Sequence, residues 1–113
     1  MLNSTDAIPA SLPSNNQPAP QARFELGRIV ATPGALRLLG EHGVNLFDLL
    51  VRHVSGDWGD VCVADAQANN DALINGERVL SAYTLVPGAA DTRVWLISER
   101  DRSVTTALRP DEY

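Results

Sequence analysis

Arg78 to Val86 (RVLSAYTLV), Arg93 to Glu99 (RVWLISE) and Ser103 to Leu108 (SVTTAL) follow one another near the C-terminus, and their reading decides the fold. Each is rich in β-branched and aromatic residues, which pack best on a pleated surface. Pro87-Gly88 opens the first connection, and Arg100-Asp101 makes a tight second one. Links this short join neighbouring strands without a crossover, so the three segments read as an antiparallel meander. Alternation puts Val79, Ser81 and Tyr83 on one face and Arg78, Leu80 and Ala82 on the other. In the last segment Ser103 and Thr105 share a face, while Thr106 lies opposite with Val104 and Leu108.

Upstream of the strands the periodicity changes to helical. Asn45 is placed to cap a helix through about Val54, in which Leu46, Phe47, Leu50, Val51 and Val54 recur at helical spacing and predict the best-buried element. Thr32-Pro33 starts an earlier helix carrying Ala35, Leu36, Leu38 and Leu39, which stops near Gly40 or Gly43. Ala64, Ala68 and Ala72 form a stripe of small residues that predicts a closely packed third helix over about 64–75, ended by Asn75-Gly76. Between the second and third helices, Gly56-Asp57-Trp58-Gly59-Asp60 must be a loop, because two glycines bracket a large aromatic. Phe24 to Ala31 (FELGRIVA) reads as a short strand. Residues 1–22 hold Pro9, Pro13, Pro18 and Pro20 among Ser, Asn, Gln and Ala, too little apolar surface to offset ordering entropy, and read as a disordered tail. The expectation is one α+β domain over 23–113: a strand, three helices, then a three-stranded antiparallel meander.

Composition narrows the function classes. The 113 residues carry a formal charge of −5, and all nine cations are Arg. The charge is segregated. Seven carboxylates and one Arg lie between Glu41 and Glu77, whereas five of each lie from Arg78 to Tyr113. An anionic ligand should therefore prefer the sheet side and a basic partner the helical side. Duplex DNA is not an expected partner on these grounds, since the third helix has no cation and the second sets Arg52 beside Asp48. A single cysteine, Cys62 between two valines, forms no internal disulfide and reads as a small core residue. No apolar run is long enough to span a bilayer, and the N-terminus has no basic-then-apolar secretory pattern, so cytoplasmic residence without a membrane partner is expected.

Several residues have the chemistry for a site. His53 sits on or beside the apolar face of the second helix, followed by Asp57 and Asp60; such a histidine serves as a general base or caps a helix end. Ser81, Tyr83 and Thr105 on one sheet face, approached by His53 and Arg102, would resemble an RNA-cleaving site in which His moves the proton and Arg stabilises phosphorane charge. Hydroxyls on strand faces equally stabilise cross-strand pairs. Asp57, Trp58, Asp60, Arg78, Asp101 and Thr106 are the candidate binding residues. Asp57, Asp60 and Asp65 with His53 match no calcium-loop spacing, so no metal is expected. Glu99-Arg100-Asp101-Arg102 reads as a solvated turn. No phosphate loop, dinucleotide glycine motif, GxSxG elbow or HExxH occurs, and no cofactor is implied.

The blocks GRIVATPGAL, RHVSGDWGD, NGERVLSAYTL and VWLISERDRSVTTALRPDEY resemble those of a small bacterial family found on plasmids and integrative elements, labelled plasmid-related protein or type I restriction endonuclease subunit M. The resemblance covers about residues 25–113 and implies pattern positions at His53, Gly56, Asp57, Trp58, Gly59, Arg78, Ser81, Tyr83, Glu99, Asp101, Arg102, Thr105 and Thr106. Ser98 stands where the pattern more often has Thr. The methyltransferase label is not supported here, since these residues are too few for that fold and carry no cofactor-binding glycine motif. Two readings follow. One is a mobile-element accessory protein that binds a host or element-encoded protein. The alternative is a metal-independent ribonuclease similar to the barnase and colicin toxins, with RNA as partner.

Overall fold

The computed structural model describes residues 21–113; of the Pro-rich tail expected over 1–22, all but the last two residues lie outside them. The elements run β1 (Arg28–Ala31), α1 (Pro33–Glu41), α2 (Leu46–Val54), α3 (Val63–Asn75), β2 (Val79–Thr84), β3 (Arg93–Ser98) and β4 (Val104–Leu108). The class is α+β, with three helices as expected, but the sheet has four strands in the order β1-β4-β3-β2. The meander is antiparallel, with Ser81 opposite Leu96 and Ser98 opposite Thr105. The correction concerns β1, which joins β4 in parallel, setting Ile29 opposite Thr105 and Ala31 opposite Ala107. The three intervening helices supply the long crossover that a parallel pair needs. The strand expected from Phe24 shortens to four residues, because Gly27 turns the chain at φ 67° against the Arg102–Ser103 backbone. Phe24 and Leu26 are thereby freed to pack inward on the helical side.

All three helices cover the sheet face that carries Ala31, Val79, Tyr83, Val94, Leu96 and Ala107. The opposite face carries Leu80, Trp95, Ile97, Thr106 and Leu108 by alternation, and the C-terminal turn lays Tyr113 edge-on to Trp95 there. Helix α1 starts as read, Thr32 Oγ1 accepting from the Ala35 amide at 3.1 Å with Pro33 in the first turn. Asn45 Oδ1 caps α2 by accepting from the Phe47 amide at 2.9 Å. The buried line of α2 nevertheless differs from the expected one. Leu49, Leu50 and His53 face the sheet, and Phe47 is 65% exposed. Apolar residues occur on more than one side of α2, and the inner side is fixed by the serines that receive His53.

Helix α3 shows a similar shift. Its packed line is Ala66, Asn69, Ala72 and Leu73, whereas Ala64 and Ala68 of the expected stripe are exposed. The physical reason is the sheet edge beneath it. Asn69 donates from Nδ2 to the Leu80 carbonyl at 2.8 Å and accepts the Leu80 amide at 3.1 Å, which an alanine cannot do. Cys62 is an exposed residue at the N-terminus of α3, correcting its expected core role. Gly76 ends α3 in the left-handed conformation, as read. Among the described residues no helix is long and apolar enough to cross a membrane.

Candidate functional site

The sheet brings hydroxyls from three adjacent strands to one histidine. Ser81 on β2 lies 2.6 Å from His53 Nδ1, and Ser98 on β3 lies 2.9 Å from His53 Nε2. Ser98 Oγ is 2.6 Å from Thr105 Oγ1 on β4, and the Thr105 hydroxyl donates to the Leu26 carbonyl at 2.7 Å. That last bond sets the direction of every other one. A carbonyl only accepts, so the Thr105 proton is committed to Leu26, and Ser98 must donate to Thr105. Ser98 then accepts from His53, whose proton therefore sits on Nε2, leaving Nδ1 to accept from Ser81. The result is a one-way chain from Ser81 through His53, Ser98 and Thr105 to the backbone of residue 26.

The chain is sealed. His53, Ser81, Ser98 and Thr105 are each 0% exposed. Phe24 and Trp58 close over the imidazole, with ring centroids 5.2 and 5.9 Å from it. Burial, and secondarily the Arg102 charge, push the His53 pKa from 6.5 down to about 4, so the ring is neutral at pH 7. Its one free lone pair is already engaged by Ser81. The group expected to move a proton is thus enclosed, with both ring nitrogens bonded to buried serines.

Arg102 also turns inward rather than lying in a wholly solvated turn. It holds a left-handed backbone, φ 59°, and its guanidinium donates to the Glu99 carbonyl at 2.9 Å and the Ala72 carbonyl at 3.4 Å. It thereby places a cation near the C-terminal end of α3, where the helix dipole favours one, with the Phe24 ring 5.3 Å away. Tyr83 donates to the Asp57 carbonyl at 2.6 Å and lies under the Arg52 guanidinium; burial pushes its pKa up to about 12.

The glycine loop is a clasp for the edge of β2. Trp58 is buried and donates from Nε1 to Asn70 at 3.1 Å. Its carbonyl accepts the Ala82 amide at 3.0 Å, the Asp60 amide donates to the Ala82 carbonyl at 2.6 Å, and Asp60 Oδ2 accepts the Thr84 amide at 3.1 Å. Gly59 lies so close that a Cβ there would fall onto the Ala82 carbonyl oxygen. The bond from Thr84 holds the Asp60 carboxyl below the usual range, and the 2.7 Å Arg52–Asp57 pair does the same for Asp57. Asp57, Asp60, Asp65 and His53 do not gather: among the described residues no group of three or more His, Cys, Asp and Glu could hold a metal ion.

The other candidates scatter. Arg78 reaches across the helix-free face to lie 5.7 Å from the Tyr113 ring, and Thr106 is half-buried on that face. Asp101 is exposed and accepts from the Ser103 amide and hydroxyl, which lowers its pKa. An open groove of about 560 Å³ lies beside the clasp, lined by Arg52, Asp60, Thr84, Pro87 to Ala90, and Arg93. His53 does not reach it. Sequence reasoning missed Ser98, Asn69 and the Leu26 carbonyl. Ser98 was accessible to it, because a tight hairpin at Arg100-Asp101 sets residue 98 across from 105. Comparison of the chain with family models, curated proteins and solved structures finds no match.

Proposed function

We propose that the protein is a non-catalytic protein-binding module, a cytoplasmic accessory of a mobile genetic element that engages a host or element-encoded partner through the outer face of α3. The observation that carries this reading is on that helix. Val63 is 87% exposed and Ile74 84%, and they lie eleven residues apart on nearly the same side. Gln67 and Asn70 lie between them on that side, exposed Ala64 and Asp71 lie beside it, and the helix carries Asp65 and Asp71 but no cation. Two large β-branched side chains in water, one near each end of a helix that carries carboxylates and no cation, give two apolar contact points in an acidic field. That suits a partner surface of positive charge.

The ribonuclease alternative requires a histidine that exchanges protons with substrate, and the sealed environment of His53 speaks against it. Val63→Ser with Ile74→Ser should leave the melting temperature within about 2 °C, as surface changes away from packed features do. The double variant should lose a partner that the intact chain retains from host lysate. If nothing is retained above background, or the variant retains the same protein, the reading falls. Total RNA incubated with the protein in excess chelator should stay intact; cleavage that disappears in His53→Ala would restore the nuclease.

A further inference from the structure

The chain treats the two edges of its sheet differently. On β2 the outward backbone groups find partners inside the molecule: Asn69 takes both from Leu80, Trp58 and Asp60 take those of Ala82, and the Asp60 carboxylate takes the Thr84 amide. On β1 they do not. The Arg28 amide donates to the Ser103 carbonyl at 2.9 Å, and the Thr32 amide to the Ala107 carbonyl at 2.9 Å. In this parallel register the even-numbered residues therefore bond to β4, and the amides and carbonyls of Ile29 and Ala31 point away from the sheet. Among the described residues no side chain or loop bonds to these four groups, and Arg28 and Ile29 are exposed. An edge left open beside one so fully closed is a template for another strand.

We infer that β1 is a self-association edge, on which two copies pair antiparallel about a two-fold axis at Val30 to give one eight-stranded sheet. The pairing follows from which groups are free. Ile29 of each copy exchanges two hydrogen bonds with Ala31 of the other, four in all, and Val30 faces Val30 in the close, non-bonded position. Arg28 then stands opposite Thr32 of the second copy. Within each chain the Thr32 hydroxyl donates to Glu112 Oε1 at 2.6 Å, so a carboxylate waits where the Arg28 guanidinium arrives, twice by symmetry. Among the described residues Arg28 forms no ion pair of its own. This built-in charge match selects a second copy over an unrelated extended peptide, which would have to supply its own carboxylate.

Sedimentation velocity of the full chain over a dilution series, with amide hydrogen exchange at both ends of the series, tests the pairing. The expected result is a reversible dimer, with the Ile29 and Ala31 amides protected only at concentrations where it forms. Ile29→Pro deletes an outward donor and leaves the β1–β4 bonds intact, so it should give a folded monomer by circular dichroism. Arg28→Glu should weaken the dimer by about tenfold or more. A monomer up to millimolar concentration overturns the proposal, as does a dimer that neither variant weakens. Protection of the two amides in the monomer also overturns it, since another segment of the same chain would then cover the edge.

Discussion

Acidification should weaken the fold well before the carboxylates titrate, and the cause is a single imidazole. In the unfolded chain His53 binds a proton near pH 6.5; in the fold it does so only near 4, because protonation charges a buried ring and displaces the Ser81 hydroxyl from Nδ1. The sign follows from proton counts. Between those two values the unfolded state holds more protons, so stability is complete above about pH 6.5 and declines as pH falls towards 4. The difference amounts to roughly 3 kcal/mol in full and about 2 kcal/mol by pH 5, out of the ~5–15 typical of a domain. Urea unfolding followed by tryptophan emission, from Trp58 and Trp95, at half-unit steps from pH 7.5 to 4.5, measures it. His53→Gln keeps a neutral polar side chain that cannot titrate; it should cost stability at pH 7 but flatten the profile across this window. Asp57, Asp60, Asp101 and Glu112 have carboxyls held below the usual range, so their contribution disappears only at lower pH and does not mask the effect. A wild-type midpoint unchanged from pH 7 to 5, or an equal slope in the glutamine variant, would refute the buried neutral histidine.

Thr105→Val keeps the shape but strands the Ser98 proton and the Leu26 carbonyl; a loss of about 1–3 kcal/mol in chemical denaturation is expected, and a neutral result would contradict the one-way chain. Gly59→Ala forces a side chain onto the Ala82 carbonyl at a left-handed position, φ 75°; the melting temperature should drop by more than about 5 °C, corresponding to roughly 1–2 kcal/mol or more. Cys62 should react with one equivalent of a thiol reagent in the native protein at the rate seen in urea, and slow, unfolding-limited labelling would restore it to the core.

The fold was readable wherever one local rule acted alone. The meander followed from alternation and two short links, and α1 and α2 from a threonine with proline and an asparagine at the right positions. The shortfalls share a cause. Which side of α2 and α3 faces inward depends on what waits in the sheet, and helical periodicity cannot see that Ser81 and Ser98 would draw in His53 over Phe47, or that an edge needing two hydrogen bonds would draw in Asn69 over Ala68. The parallel pairing of β1 with β4 was equally out of reach, because nothing local links residues 28–31 to 104–108. For the site, the sequence named His53, Ser81 and Thr105 together, and the structure joins them through Ser98. Polar residues on a sheet face say only that hydroxyls are near one another. Whether water or a helix covers them is a tertiary fact, and it separates a catalytic group from a buried relay.

A buried polar chain in so small a domain needs a physical reason, since an apolar set of equal volume would be as stable or more so. Register supplies one. Ser81, Ser98 and Thr105 occupy three neighbouring strands on one face, and a slip of a single residue would turn each hydroxyl to the opposite side. Leucine or valine at these positions would tolerate alternative pairings and a rotated α2, because hydrophobic contact has no direction. The hydrogen bonds do have one: Leu26 ends the chain with an acceptor, His53 can reach both serines from one side of α2 only, and each slipped arrangement leaves a buried donor or acceptor unpaired at a cost of about 1–3 kcal/mol. The same set of residues therefore fixes the stacking of three strands, the rotation of one helix and the path of the segment leading into β1. The hydroxyls and imidazole that looked catalytic in the sequence are engaged in bonds that specify the fold.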